Sequence, residues 1–366
     1  MPGAIAPYGQ TAAGQAVHRI TLEDGIRVQV LTFGAIIETL EAPDRDGRQA
    51  NLALGLDSLE GYETRSPHFG AMTGRYAGRI AGARFVLDGI AHELARNNGA
   101  NAIHGGPGGF DKAVWRIDAA DERRVTLSYT SKDGEEGFPG TLSVQVAYSL
   151  EGGTLRIRYQ ATTDRPTVLN LTNHSYFNLA GEGAGSVLGH VLQIEADRIL
   201  AIDAASLPTG EILPVAGTPF DFRAPHPIGA RIREAHPQIL LGRGYDHYWV
   251  LPGTGLRRAA TVWHPPSGRR LEVHTDQPGI QVYTANMLTG TLAGPAGRAY
   301  RPGDALCLET QHYPDSPNRP GFPSTVLRPG AVFRSATDYV FSIGAVPAET
   351  EPGLAAGGGW VRECPP

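Results

Sequence analysis

Twelve histidines and 37 acidic residues supply this 366-residue chain with many groups able to move protons, and a few stand in settings that suit such work. The run Asn170-Leu171-Thr172-Asn173-His174-Ser175-Tyr176-Phe177-Asn178-Leu179 contains one. On a strand, Asn170, Thr172, His174 and Tyr176 share one face while Leu169 and Leu171 take the other, so a polar row with an imidazole lies beside an apolar row. Glu309 is a second. In Ala305-Leu306-Cys307-Leu308-Glu309-Thr310-Gln311, alternation sets Leu306 and Leu308 on one side and Cys307, Glu309 and Gln311 on the other. If that second side is covered, the carboxyl must be paired, hydrogen-bonded or poised for proton transfer, because desolvation penalises its charged form. His104 sits between Asn97-Asn98-Gly99 and Gly105-Gly106, where glycines let a ligand approach closely. Asp246, in Gly244-Tyr245-Asp246-His247, is another carboxylate, although an Asp close to a Gly is also ordinary turn chemistry.

Other chemistries find little support. No Walker A loop and no GxGxxG opening a helix is present, so nucleotides are not indicated. No histidine pair has zincin spacing, and Asp246 and His247 would point opposite ways on a strand, so no metal or other cofactor is expected. Cys307 and Cys364 lie far apart, which reads as reduced thiols in a cytoplasmic protein. Thirty-two basic against 37 acidic residues give a net charge of −5, so no basic field invites nucleic acid. Met1 to Val17 lacks the pattern of a secretory signal. The charge-free stretch 277–297 carries Gln277, Pro278 and Asn286, so no membrane association is expected.

The elements that must hold these groups read as strands. Leu142, Val144, Val146, Tyr148 and Leu150 alternate with small or polar residues, Glu151-Gly152-Gly153 turns the chain, and Leu155, Ile157, Tyr159 and Ala161 alternate again. That pattern predicts a hairpin. Shorter runs follow at 27–33, 125–130, 280–284, 305–311 and 340–343. The best helical candidate, Ile228–Ala235, amounts to a turn or two. Many short strands without a βαβ rhythm predict an all-β sandwich or barrel. Forty-seven glycines and 28 prolines supply its turns. One large β domain over residues 1–346 is expected, followed by a Gly/Pro-rich tail, 347–366, with Trp360 as its anchor. Polar strand faces bearing histidines and acids suit the hydroxyls of a sugar.

The strings also resemble a known family. Gly74-Arg75-Tyr76-Ala77-Gly78-Arg79-Ile80, Ile103-His104-Gly105-Gly106, the run from Asn170 to Leu179, Tyr245-Asp246-His247, Gln281-Val282-Tyr283-Thr284, and Glu309-Thr310-Gln311 running on to Asp315-Ser316-Pro317-Asn318 look like aldose 1-epimerases in content and order. The resemblance spans about 18–343. It implies a large antiparallel β-sandwich, a galactose mutarotase-like supersandwich with very little helix and a sugar site on a concave sheet face. It implies cofactor-free interconversion of the α and β anomers of free aldohexoses by a monomer or weak homodimer. Carried over, Glu309 matches the general base and His174 the general acid, while Arg79, His104, Asp246 and Gln281 match sugar-holding residues. Gly78 stands where the family often has asparagine. Two alternatives are a glycoside hydrolase using Asp246 and Glu309 as its carboxylate pair, and a non-catalytic carbohydrate-binding sandwich. A sugar-phosphate epimerase would want a basic cluster, and Arg79 has no evident second arginine beside it.

Overall fold

A computed structural model of the chain describes residues 4–347. Three antiparallel sheets dominate, with five, nine and six strands. The five-stranded sheet runs in sequence order through Ile5–Gln10, Ala16–Asp24, Ile26–Leu31, Ile37–Pro43 and Gln49–Asn51. The nine-stranded sheet is ordered Arg116–Ala120, Arg124–Ser131, Leu142–Glu151, Thr154–Thr163, Phe333–Ile343, Arg269–Thr275, Arg257–His264, Val191–Ile194 and His226–Pro227. The six-stranded sheet is ordered Tyr176–Phe177, Leu306–Gln311, Gly279–Tyr283, Asp246–Val250, Arg198–Ile202 and Pro208–Pro214.

The expected hairpin forms, with Leu142 opposite Thr163 and Glu151 opposite Thr154. Val144, Val146, Tyr148 and Leu150 are buried there while Ser143 and Gln145 are exposed, as a half-buried strand requires. The five shorter runs are also strands, each within a few residues of its predicted bounds except the last, which is the end of Phe333–Ile343.

One core joins the large sheets. Ile157 and Tyr339 of the nine-stranded sheet, Leu306, Leu308, Ile280 and Trp249 of the six-stranded sheet, and Ile20, Val28 and Leu40 of the five-stranded sheet belong to a single buried cluster. Polar groups tie the layers together as well. Thr310 and Thr337 hydroxyls meet at 2.5 Å between the six- and nine-stranded sheets, and the Tyr339 hydroxyl donates to the Leu308 carbonyl at 3.3 Å. The six-stranded sheet thus spends one face on the core and has its other face for the site.

Helix is scarce, as expected, but it lies elsewhere. The Ile228–Ala235 pattern yields only a 3₁₀ turn, Ile228–Ala230, and the two α-helices are Leu59–Thr64 and Pro237–Gly242. Pro237 occupies the first helical position, where its missing N–H leaves no bond unmade. Ser58 caps the other helix by accepting from Gly61 N–H at 3.2 Å. No helix among the described residues is long and apolar enough to cross a membrane. Cys364 and Trp360 of the expected tail lie outside the described residues.

Candidate active site

Strand register assembles the site. Glu309 pairs with Gln281, and Gln281 with Tyr248, making one cross-strand row. A parallel row runs Tyr176, Cys307, Tyr283, Asp246. Because side chains alternate, both rows leave the core-facing Leu306, Leu308, Ile280, Val282 and Trp249 behind, and every member but Cys307 lines a cleft of about 470 Å³. That volume lies in the range of ligand sites, about 300–1,000 Å³. Cys307 does not reach the cleft. It is wedged between Tyr176 and Tyr283 in a separate apolar cluster, and burial pushes its thiol well above the usual range.

All six residues singled out in the sequence come together here: Arg79, His104, His174, Asp246, Gln281 and Glu309 all line the cleft. His174 Nε2 stands 3.5 Å from Glu309 Oε1, with both side chains almost fully buried. The polar row through His174 is only partly a shared face, because the strand breaks between Thr172–His174 and Tyr176–Phe177. His174 and Tyr176 reach the cleft, whereas Asn170 turns its amide to the Ala77 and His312 carbonyls. Asp246 and His247 do point opposite ways: Asp246 faces the cleft, and the His247 ring packs on Phe220 at 4.6 Å.

Gln281, Asp246, Arg79 and His104 each have a defined partner. The Gln281 amide donates to Asp246 Oδ1 at 2.7 Å. Arg79 Nη2 lies 3.7 Å from Asp246 Oδ2 and its Nε donates to Asn98 Oδ1. The Gly78 N–H donates to His104 Nδ1 at 3.3 Å, so His104 carries its proton on Nε2. His104 adopts φ +52° and Gly105 φ +91°. A Cβ at Gly105 would fall 1.9 Å from the Gly74 carbonyl oxygen, so only glycine fits this turn. Gly78 also has a left-handed backbone, and a Cβ there would lie 3.2 Å from the Pro314 ring.

Electrostatics push the central pair in opposite directions. Burial raises Glu309 to about 8, the nearby Asp246 charge adds to the rise, and Arg79 offsets part of it. Burial lowers His174 to about 3, reinforced by His68. Each group resists its own charged form, while their mutual attraction favours the ion pair. Either arrangement holds one proton between them. His104, Glu309 and His174 bring one potential metal-ligand atom each within 4.8 Å of one another. The Gly78 bond speaks against a cation, because coordination through Nε2 would leave a proton on Nδ1 facing another N–H. The arrangement fits a hydroxyl-rich ligand better.

Two residues were missed. Arg243 lines the cleft, which corrects the expectation that Arg79 has no second arginine nearby. Arg243 caps the Pro237–Gly242 helix in a left-handed conformation, and no sequence pattern announces that position. His68 also lines the cleft, and its only signal is a place between Pro67 and Gly70.

Known proteins match the chain over nearly all of its length. The family model described as aldose 1-epimerase matches residues 18–340. Galactose mutarotase of Bos taurus is 46% identical over 341 residues, covering 92% of this chain and 98% of that protein. Aldose 1-epimerase of Escherichia coli (strain K12) is 39% identical over 335 residues, covering 90% and 96%. The solved structure of a galactose 1-epimerase from Lactobacillus acidophilus superposes with a TM-score of 0.82 at 32% identity, covering 93% of this chain and 99% of that one. Matched along nearly its whole length by the family model and by both of these relatives, this chain belongs to the aldose 1-epimerase family.

Proposed function

We propose that the protein interconverts the α and β anomers of free aldohexoses such as glucose and galactose, with Glu309 as general base and His174 as general acid. The observation that carries this reading is the buried His174–Glu309 pair, 3.5 Å apart on a polar cleft. Opening a cyclic hemiacetal removes the proton from the C1 hydroxyl and supplies one to the ring oxygen. Glu309 as carboxylate takes the first, and His174 as imidazolium gives the second. The C1–O5 bond breaks, the open aldehyde turns about C1–C2, and reclosure returns both protons by the reverse path. The pair begins and ends the cycle with the same single proton.

Arg79, His104, Asp246 and Gln281 hold the sugar's hydroxyls in this reading. His104 offers an Nε2–H donor. Asp246, held by Gln281 and Arg79, offers carboxylate oxygens to hydroxyl protons and raises the basicity of Glu309. With Asp246 engaged in this way, it suits sugar binding better than it suits a glycosidase carboxylate pair. A binding-only sandwich leaves the opposed acid and base without a role. Residues 1–346 act as one catalytic domain on this view, since the site draws on positions from 79 to 309. Cytoplasmic residence rests on the two widely spaced cysteines.

Polarimetry of freshly dissolved α-D-glucose and α-D-galactose tests the reading. Decay of rotation faster than in buffer is expected. A rate equal to buffer for both sugars, with release of nitrophenol from aryl glycosides, would favour the hydrolase instead.

A further inference from the structure

Beside the central pair lies a second acid–imidazole pair that the proposed ring opening does not use. His68 Nδ1 donates to Asp111 Oδ2 at 3.1 Å, and the Asp111 side chain is only 3% exposed. The His68 ring lies 4.7 Å from the His104 ring and 5.8 Å from the His174 ring, and it lines the same cleft. We propose that His68 is a sugar-binding residue of this site, anchored by Asp111 so that its free ring nitrogen meets a non-reacting hydroxyl of the bound aldose. This rests on the mutarotase reading above.

Three observations support it. First, the ring is fixed from behind. Burial pushes the Asp111 carboxyl up, but the His68 charge and hydrogen bond, with Lys112, outweigh that and hold it below the usual range. Asp111 is therefore a carboxylate that accepts the Nδ1 proton, which leaves Nε2 as the only ring nitrogen for a ligand.

Second, the backbone is held in a conformation that a histidine rarely adopts. His68 has φ +70°, and such strain persists only where surrounding structure enforces it, often at functional sites. The enforcement comes from the strand that bears the proposed acid. Gly70 N–H donates to the His174 carbonyl at 3.0 Å, the Asn173 amide donates to the Gly70 carbonyl at 2.8 Å, and the Tyr176 hydroxyl donates to the Pro67 carbonyl at 2.9 Å. The loop that presents His68 is thus bonded to the segment that presents His174.

Third, the side chain is placed for contact. It retains 23% exposure beside two rings that are themselves buried. A residue needed only for packing would not require a buried carboxylate to orient its ring toward open space.

His68→Asn is the discriminating variant. Asparagine tolerates the left-handed backbone, and its amide nitrogen can still donate to Asp111, but the outer half of the ring is gone. Anomer exchange is measured by NMR for wild type and variant on D-glucose and on its 2-, 3-, 4- and 6-deoxy analogues. The expected result is a KM for D-glucose raised about tenfold, the loss of one good hydrogen bond, with kcat changed less than about threefold. One deoxy sugar, lacking the partner hydroxyl, should show the same KM with both proteins. Equal penalties on all five sugars, or no penalty on any, would overturn the proposal. Absence of wild-type activity on D-glucose would instead defeat the mutarotase reading itself. Should His68→Asn fail to fold, Asp111→Asn in the same cycle is expected to weaken coupling to the same single hydroxyl, and uniform effects there would overturn the proposal equally.

Discussion

Two acid–imidazole pairs with buried carboxyls share this cleft, Glu309 with His174 at 3.5 Å and Asp111 with His68 at 3.1 Å, and their protons settle differently. Both carboxyls are desolvated. Glu309 has a second carboxylate, Asp246, for a neighbour and rises to about 8. Asp111 has His68 and Lys112 for neighbours and falls below its ordinary value. Burial alone does not decide the state of an acid; the sign of the surrounding charge does. On the proposed mechanism Glu309 with His174 passes a proton in either direction, whereas the proposed role of Asp111 is to hold the His68 ring in place.

The comparison breaks most sharply in kinetics. His174→Asn should lower kcat/KM for anomer exchange by about 10²–10⁴-fold, the usual range for a general acid, with an unchanged circular dichroism spectrum. Asp111→Asn should leave kcat within about tenfold. Equal losses in the two variants would erase the distinction.

Stability should move in opposite directions. Glu309 binds its proton more tightly folded than unfolded, so its contribution is fully present below pH 4.5 and is lost as pH rises toward about 8. Glu309→Gln removes that dependence and should stabilise the fold at pH 8 by a few kcal/mol, at about 1.4 kcal/mol per pKa unit. Asp111 has a lowered pKa, so its contribution is present above its unfolded pKa and is lost in acid. Asp111→Asn should therefore destabilise at neutral pH, by about 1–3 kcal/mol. Urea unfolding at pH 5 and pH 8 reads both.

A smaller effect concerns pH. The single-proton state of the central pair spans the interval from about 3 to about 8, so kcat should fall on the alkaline side as pH passes about 8. Asp246→Asn removes the like charge that raises Glu309 and should move that limb to lower pH. A limb that stays in place would mean that Asp246 does not act on Glu309. Least of all, Arg243→Ala at the exposed edge of the cleft should change KM by about twofold at most, against the tenfold effect expected at His68.

Much of this was legible in the chain. Alternation in Leu306–Gln311 put Glu309 opposite the leucines, and that split is the one observed. What alternation could not supply is register. Glu309 stands beside Gln281 because two strands pair across an intervening loop, a non-local outcome that no local pattern specifies. Cys307 shares the predicted face of Glu309 yet never reaches the cleft, because Tyr176 and Tyr283 flank it in the sheet. The Asn170–Tyr176 face was half right because the strand breaks. The helices were misplaced because each is six residues long, too short for 3.6-residue periodicity to show. The capping serine at 58 and the proline at 237 were the readable signals. His68 holds a left-handed backbone in a loop tied by tertiary bonds, and Arg243 holds one as the cap of a helix too short to read from the sequence; neither position carries a local signal.

The most direct test of the central claim is the anomer exchange rate of Glu309→Gln, measured by NMR on D-glucose and D-galactose at neutral pH beside the wild type. A folded variant that has lost about 10²-fold or more of the wild-type rate on both sugars is the predicted result. A folded variant with the wild-type rate would contradict it.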